Sequence, residues 1–252
     1  MARQDSFIKL NGKVGDLSFF KTKDGYQART KGGVSADRIK NDPNYKRTRE
    51  NNAEFTEVTV ASKIIRDVLR SMILLTHDPK MATRLSSRVF KMIKLDVVNV
   101  RGKRKVLPES FGLLKDFNFN EAAPLNNTLF VTAVPTIDRA SGVVELTIPE
   151  IMPEIHLAQP KGATHFRLTA GAALVSLDEE VEPSVMLMES SNYQAVSETL
   201  ISTVLTSSLP PNALGAIMLV FGVSFYQEVN TLMYPMNNGG FNPLCTVAVD
   251  TP

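Results

Sequence analysis

Charge is divided unevenly along this chain of 252 residues, and the division limits how the chain can fold and assemble. Residues 1–105 contain 24 of the 28 lysines and arginines but 11 of the 26 acidic residues, a net charge of +13. Residues 106–252 contain the other 4 basic and 15 acidic residues, a net charge of −11. Such a split predicts a polyanionic partner for the first part, docking of the first part on another copy's second part, or neutralisation of the two parts within one molecule.

A small β-meander is predicted near the amino terminus, over residues 6–31. Asn11-Gly12 and Asp24-Gly25 are dipeptides that favour tight turns, and strand-forming residues lie between them and after them. Three short strands with few apolar side chains bury little surface by themselves. We therefore expect the meander to pack against the rest of the chain or, edge to edge, against a neighbouring chain.

A basic loop is predicted over residues 32–43, and a helical hairpin follows it. Apolar residues recur at three- and four-residue steps from about Asn44 to Leu74, which predicts a long helix. Asp78-Pro79 favours the start of a second helix that ends near Leu95, because aspartate can cap a helix and proline suits its first turn. The short connection between the two helices indicates a hairpin.

From about residue 113 the pattern changes to short apolar segments separated by Pro, Gly and Asn, which is typical of β-strands. Residues 216–225 are apolar almost throughout, which indicates a central strand buried on both faces. Strands are predicted over 129–137, 143–148, 165–170, 173–177, 184–188, 198–206, 216–228 and 244–249, with a hairpin loop at 138–142. The chain is therefore predicted to be an α+β protein, with a basic β-meander and helical hairpin region over residues 1–110 and an acidic, antiparallel β-sandwich over residues 111–252.

Motifs of known catalytic sites are not visible in the sequence. It has no phosphate-binding glycine loop, no dinucleotide-binding glycine pattern and no Gly-x-Ser-x-Gly nucleophile motif. His77, His156 and His165 lack metal-ligand spacing, and we interpret them as structural or exposed. Cys245 lies in an apolar run and is interpreted as a small buried hydrophobe, and residues 178–182 as a solvated acidic turn without the pattern of a calcium loop. We therefore expect a protein that is not an enzyme and holds no cofactor or metal.

Neither a secretory nor a membrane-spanning segment is expected. Residues 1–10 carry Arg3, Asp5 and Lys9 and lack the apolar core of a signal peptide. The longest apolar stretch, residues 213–223, is about half as long as a bilayer-spanning helix. The expected location is the cytoplasm, with no membrane partner.

Several segments resemble those of a family of uncharacterised Bacteroidota proteins, whose members open with a short glycine-rich β segment followed by an Asn-Pro turn and a helix. The likeness spans most of the chain. It rests on residues 12–21, Tyr26, Ala28-Arg29, Asn41-Asp42-Pro43, residues 47–55 (beginning Arg47-Thr48-Arg49-Glu50-Asn51), Ile137-Asp138-Arg139, and residues 162–166, 225–230 and 238–242. The resemblance implies no activity and no site residue.

The charge division favours a self-assembling structural protein that forms a filament, tube or shell through head-to-tail contacts between its basic and acidic parts. The basic residues expected at the contact are Lys46, Arg47, Arg49, Arg101, Lys103, Arg104 and Lys105, of which the last four are expected at the tip of a hairpin between residues 97–100 and 106–107. The alternative is that the same residues bind nucleic-acid phosphates, although no aromatic side chains are interleaved with them for stacking. An enzyme without a visible motif would instead show a deep pocket with converging ionisable groups.

Overall fold

The computed structural model describes residues 2–30, 33–177 and 186–252. Within the last range, residues 186–189 are described by their backbone alone. The acidic turn predicted at 178–182 and the start of the strand predicted at 184–188 therefore lie outside the described residues, as do Lys31 and Gly32 of the meander and the loop after it. The chain divides into two compact units, Met1–Glu50 and Asn51–Pro252. This boundary differs from the predicted one at residue 110, because the helical hairpin and the β-strands share one core in the second unit.

The first unit contains a four-stranded antiparallel sheet in the order β1-β4-β3-β2. Its strands are β1 (Ala2–Arg3), β2 (Gly12–Val14), β3 (Leu17–Thr22) and β4 (Gly25–Thr30). The predicted turn before Gly25 is confirmed, whereas the turn predicted at Asn11-Gly12 is wrong, because β2 and β3 are joined at Gly15-Asp16, where Gly15 has a φ of 56°. None of the described residues between 2 and 50 is buried.

Part of the basic loop predicted over residues 32–43 is helical instead. Helix α1 (Ala36–Asn41) is capped by Ser35, whose hydroxyl accepts the N–H of Arg38, and a 3-10 turn follows at Pro43–Tyr45. The Asp42 carboxylate accepts the N–H of Asn44 at the start of that turn. Short polar side chains therefore supply the caps that allow these helices to form between loop residues.

The predicted helical hairpin is confirmed in the second unit. Helix α2 (Lys46–Val68) is followed by α3 (Arg70–Ile73), and the break between them lies at Leu69. Helix α4 (Met81–Met92) continues into a 3-10 turn at Ile93–Leu95, and a further 3-10 segment covers Pro108–Leu114. Asp78 lies before α4, where its carboxylate accepts the N–H of Lys80, so the helix begins later than predicted.

Two antiparallel sheets form the rest of the second unit. The smaller has the order β10-β6-β5; in the larger, β12-β11-β7-β8 are neighbours, β13 also pairs with β11, and β9 also pairs with β7. The strands are β5 (Val134–Asp138), β6 (Val143–Ile148), β7 (His165–Val175), β8 (Met186–Ser190), β9 (Gln194–Ala195), β10 (Thr203–Ser208), β11 (Ala216–Val229), β12 (Leu232–Pro235) and β13 (Leu244–Asp250). Short helices α5 (Leu125–Thr128) and α6 (Pro153–His156) and a 3-10 turn at Met236–Gly239 connect them.

The prediction of two separate strands at 165–170 and 173–177 is wrong. Gly171 and Ala172 continue β7 and pair with Val220 and Leu219 of β11, so no turn separates the halves. The hairpin predicted between residues 97–100 and 106–107 is also absent, because neither segment is a strand. Strand β12 has no counterpart among the predicted strands.

Strand β11 lies between two cores, as the sequence predicts. Residues 216–225 are buried, and successive residues point to opposite faces, as the pleat of a strand requires. Ile217, Leu219 and Phe221 contact the core shared with the smaller sheet, whereas Met218 and Val220 contact the core shared with α2, α3 and α4. The second unit therefore has three layers: helices, the larger sheet and the smaller sheet. The predicted α+β class is confirmed.

Helices of the described residues are all too short or too polar to cross a bilayer.

Candidate interaction surface

The segment that follows α4, residues 96–105, is organised by one buried aspartate, and we call it the valine loop. Asp96 is 1% exposed. Its Oδ1 accepts the N–H groups of Val98 and Asn99, each at 3.0 Å, and its Oδ2 accepts the side-chain amide of Asn99 at 2.8 Å and the N–H of Lys105 at 2.9 Å. These bonds, those from Asn99 and Lys105 most of all, lower the pKa of Asp96 from 3.8 to about 2. A single ionised side chain therefore holds both ends of the loop.

Three valines of the loop point into solvent. Val97, Val98 and Val100 are 90%, 85% and 70% exposed, and Leu95, just before the loop, is 53% exposed. Single exposed apolar residues are common on protein surfaces, but here four lie within six positions of a hydrogen-bonded segment, and we call them an apolar patch. Such a patch indicates an interaction site.

The basic residues of the valine loop contact α2. Arg101 donates to the side-chain oxygen of Asn51 at 2.6 Å, and the N–H of Gly102 donates to Glu54 Oε1 at 3.0 Å. Glu54 is buried and also lies 3.8 Å from the guanidinium of Arg104, while Lys105 pairs with Glu57 at 3.1 Å. The loop docks on the helix through these bonds, which is why its ends do not pair as strands.

A cleft of about 570 Å³ lies beside the loop. Phe55 and Phe90 form an apolar wall, and the cations of Lys94, Arg101 and Arg104 line the cleft together with Asn51, Asn52 and Glu54. The Nε of Arg104 is buried and has no hydrogen-bond acceptor among the described residues. The cations of the cleft place positive charge next to the exposed valines, which suits a carboxylate.

Three further basic residues expected at the contact, Lys46, Arg47 and Arg49, belong to the first unit. Arg49 donates to the carbonyl oxygens of Ile39 and Asp42 at 2.7 and 2.9 Å, so it ties the end of α1 to the start of α2. Arg47 pairs with Glu50 at 3.0 Å, one turn along the helix. Within the described residues, the side chain of Lys46 makes no hydrogen bond or ion pair.

The four basic residues predicted between 101 and 105 thus lie together on one loop, and among the described residues Lys103 alone of them has no polar side-chain partner. Sequence reasoning missed Asp96 and the exposed valines, because a run of valines was interpreted as a strand. The spacing of Asp96 before Asn99 was the available signal, since aspartate side chains bind backbone N–H groups two and three residues later in turns.

Cys245 is buried, as predicted. Burial, and to a smaller extent the nearby Asp116 carboxylate, raises the pKa of its thiol to about 12. A cavity of about 370 Å³ borders it, lined mainly by apolar residues of α5, β13 and residues 129–133, with Asp116 as its acidic group. A protonated thiol of this kind is not a nucleophile.

The histidines do not belong to any cluster of metal ligands among the described residues. His165 lies 3.8 Å from Glu228, and His156 accepts the N–H of Met152 through Nδ1. Nowhere in the described ranges do three His, Cys, Asp or Glu side chains come together as metal ligands. The expectation that the protein needs no metal or cofactor stays a prediction.

No protein-family model, curated protein or solved structure matches this chain. The resemblance to a Bacteroidota family therefore stays a prediction, and the function has to be argued from the surface itself.

Proposed function

We propose that this chain is a non-enzymatic structural protein that self-assembles into a filament, tube or shell through head-to-tail contacts between its basic and acidic parts. The observation that carries the proposal is the valine loop. It displays Val97, Val98 and Val100 on a segment fixed by Asp96, and its surroundings are basic. A surface that is both apolar and positively charged suits a partner that is apolar and negatively charged, and residues 106–252 have a net charge of −11.

The first unit supports the same proposal. None of its described residues is buried, and the unit leaves apolar side chains in solvent: Phe7, between β1 and β2, is 95% exposed, and Val14 of β2 is 64% exposed. A sheet of this size needs an apolar face packed against something else to be stable. A neighbouring copy in an assembly can supply that contact.

Nucleic-acid binding is the alternative function of the basic residues. The contacts that their side chains already make within the chain favour it less than self-assembly. Arg101, Arg104 and Lys105 are engaged by Asn51, Glu54 and Glu57, so part of their charge is already offset. The exposed valines of the loop cannot stack on bases. The aromatic rings beside the cations are Phe55 and Phe90 of the cleft, of which Phe90 is only partly exposed and already lies under Lys94. A second copy of the chain fits this chemistry better than a phosphate backbone does.

The test is the oligomeric state of the purified full chain. We expect sedimentation velocity and electron microscopy to show regular assemblies that grow with protein concentration. The assemblies should weaken as NaCl is raised from about 50 to about 300 mM, because exposed charge pairs are screened. A monodisperse monomer at high concentration and low salt would overturn the proposal.

The same preparation tests the alternative. Single- and double-stranded oligonucleotides are added at low salt, and binding is followed by fluorescence anisotropy. We expect no binding beyond that of an unrelated protein of equal net charge. Tight binding by a protein that stays monomeric would favour the nucleic-acid function. The cytoplasmic location expected from the sequence remains part of the proposal, and no step of the test depends on it.

A further inference from the structure

We infer that the valine loop of one copy docks on a surface of the next copy that we call the glutamate patch. The inference rests on the proposed self-assembly and names the two surfaces that meet. The patch combines three exposed acidic and three exposed apolar residues, which are Glu150, Glu154, Glu198, Met152, Ile155 and Ile201.

Backbone pairing brings the two halves of the patch together. Ile151 and Leu200 form an antiparallel bridge with reciprocal N–H to carbonyl bonds of 2.9 Å. The bridge keeps the register of the β6–β10 pair, in which Ile148 lies opposite Thr203. Glu150 is therefore directly opposite Ile201, and side chains in such a pair lie on the same face, about 5 Å apart at Cβ.

The alternation of the strands decides which side chains face solvent. Ile151 and Leu200 point inward into the core between the sheets. Their neighbours on either side point outward, and Ile201 is 74% exposed, with Ile155 of the following helix α6 at 63%. Ile201 thus shares its face with the Glu150 carboxylate, and Ile155 follows the exposed Glu154 in the chain.

The two surfaces are complementary in both polarity and charge. Residues 94–105 carry five cations and one buried aspartate. Glu54 and Glu57 offset part of the charge of Arg104 and Lys105, whereas Lys94 and Lys103 have no acidic partner among the described residues. The glutamate patch carries three anions and exposed isoleucines. In the proposed contact, the glutamates of the patch face the cations of the loop while the aliphatic side chains of the two surfaces pack together.

The valine loop and the glutamate patch lie in different layers of the second unit, so the proposed contact can repeat from copy to copy. The valine loop sits on α2, in the helical layer, and the glutamate patch continues the smaller sheet, in the layer on the other side of the larger sheet. A contact between two different surfaces of the same rigid unit is heterologous, so each copy that docks leaves a free surface for another.

The experiment reverses charges on each surface of the full chain separately. A loop variant carries Arg101→Glu and Lys103→Glu, and a patch variant carries Glu154→Lys and Glu198→Lys. We expect the protein concentration at half-assembly to rise at least about tenfold for either variant alone. An equimolar mixture of the two variants should recover assembly, because the intact loop of one variant meets the intact patch of the other and the two charge-reversed surfaces are complementary as well.

Further variants separate charge complementarity from folding and net charge. A chain with all four substitutions exchanges the signs of the two surfaces and should recover assembly. A control with Lys80→Glu and Lys115→Glu changes the net charge as much as the loop variant, on exposed residues outside both surfaces, and should assemble as the wild type does. Assembly of both single-surface variants at the wild-type concentration overturns this inference and leaves the proposed function standing. Absence of wild-type assembly overturns both.

Discussion

Replacement of Val97 and Val98 by threonine separates the assembly of this protein from its stability. Threonine has nearly the shape of valine but exchanges a methyl group for a hydroxyl. Both valines are at least 85% exposed in the single chain, so the change should alter its free energy of unfolding by less than about 0.5 kcal/mol. At a buried interface, each exchange loses about 0.8 kcal/mol of methyl burial and costs about 1 kcal/mol for an unpaired hydroxyl. Two such exchanges, about 3–4 kcal/mol, weaken association at least about a hundredfold if the loop is the interface.

The assay is sedimentation velocity over a concentration series, with urea unfolding of the dissociated protein at high salt as the stability measurement. Val229→Thr, at a residue that is 45% exposed and lies outside both surfaces, is the matched control and should change neither quantity. The reasoning is refuted by a double variant that assembles as readily as the wild type. It is also refuted by one that loses more than about 1 kcal/mol of unfolding free energy, since the valines would then be buried within the single chain.

Three further outcomes test the structure. Hydrogen bonds lower the pKa of Asp96 from 3.8 to about 2. The ionised carboxylate therefore stabilises the folded protein fully above about pH 4, and this stabilisation is lost as the pH falls toward 2. The urea midpoint of unfolding of Asp96→Asn should vary less than that of the wild type across this range. Asn242→Ala should cost about 2–4 kcal/mol in urea unfolding, because it leaves the buried N–H of Phe225 and the carbonyl of Leu75 without partners, whereas Asn242→Asp keeps the first bond. Cys245, with a pKa raised to about 12, should react with a thiol reagent at pH 8 at least about a hundredfold more slowly in the folded protein than in denaturant.

Period and polarity in the sequence are sufficient to predict the main elements of the fold. The three- and four-residue spacing identifies the hairpin of α2 and α4, and the apolar run of β11 identifies the strand between two cores. The errors arise where local signals compete. Asn11-Gly12 and Gly15-Asp16 can both form a tight turn. Because Gly12 pairs with Phe19 and Val14 with Leu17, the turn lies at Gly15-Asp16.

The continuity of β7 comes from its pairing with β11. Gly171 weakens a strand locally, but β11 pairs with every residue of β7 from His165 to Val175. Eleven consecutive pairs outweigh the local preference of one residue. Such pairing joins residues about fifty positions apart, so no window of the sequence reveals it.

The basic part of the candidate surface was predictable from charge, and its apolar part was not. Arg101 and Lys105 stand out in the sequence, whereas Val97 and Val98 look like a strand. What exposes them is the side chain of Asp96, which takes the N–H groups that a strand would have used for pairing. A buried carboxylate that accepts several hydrogen bonds depends on the folded positions of its donors, so a pattern of hydrophobic residues in the sequence does not predict it.

The contacts of the valine loop also bear on where the opposite charges of the two parts meet. Neutralisation within one molecule would pair the basic loop with acidic residues beyond 105, but its partners Glu54 and Glu57 come from α2 and so from the basic part itself. Arg84 does reach across, to Glu121 at 3.6 Å, yet this pair lies outside the loop. Glu150, Glu154 and Glu198 meanwhile stay exposed beside aliphatic side chains. In the assembly that we propose, the loop and these glutamates attract each other between copies, and the exposed valines and isoleucines are buried together there.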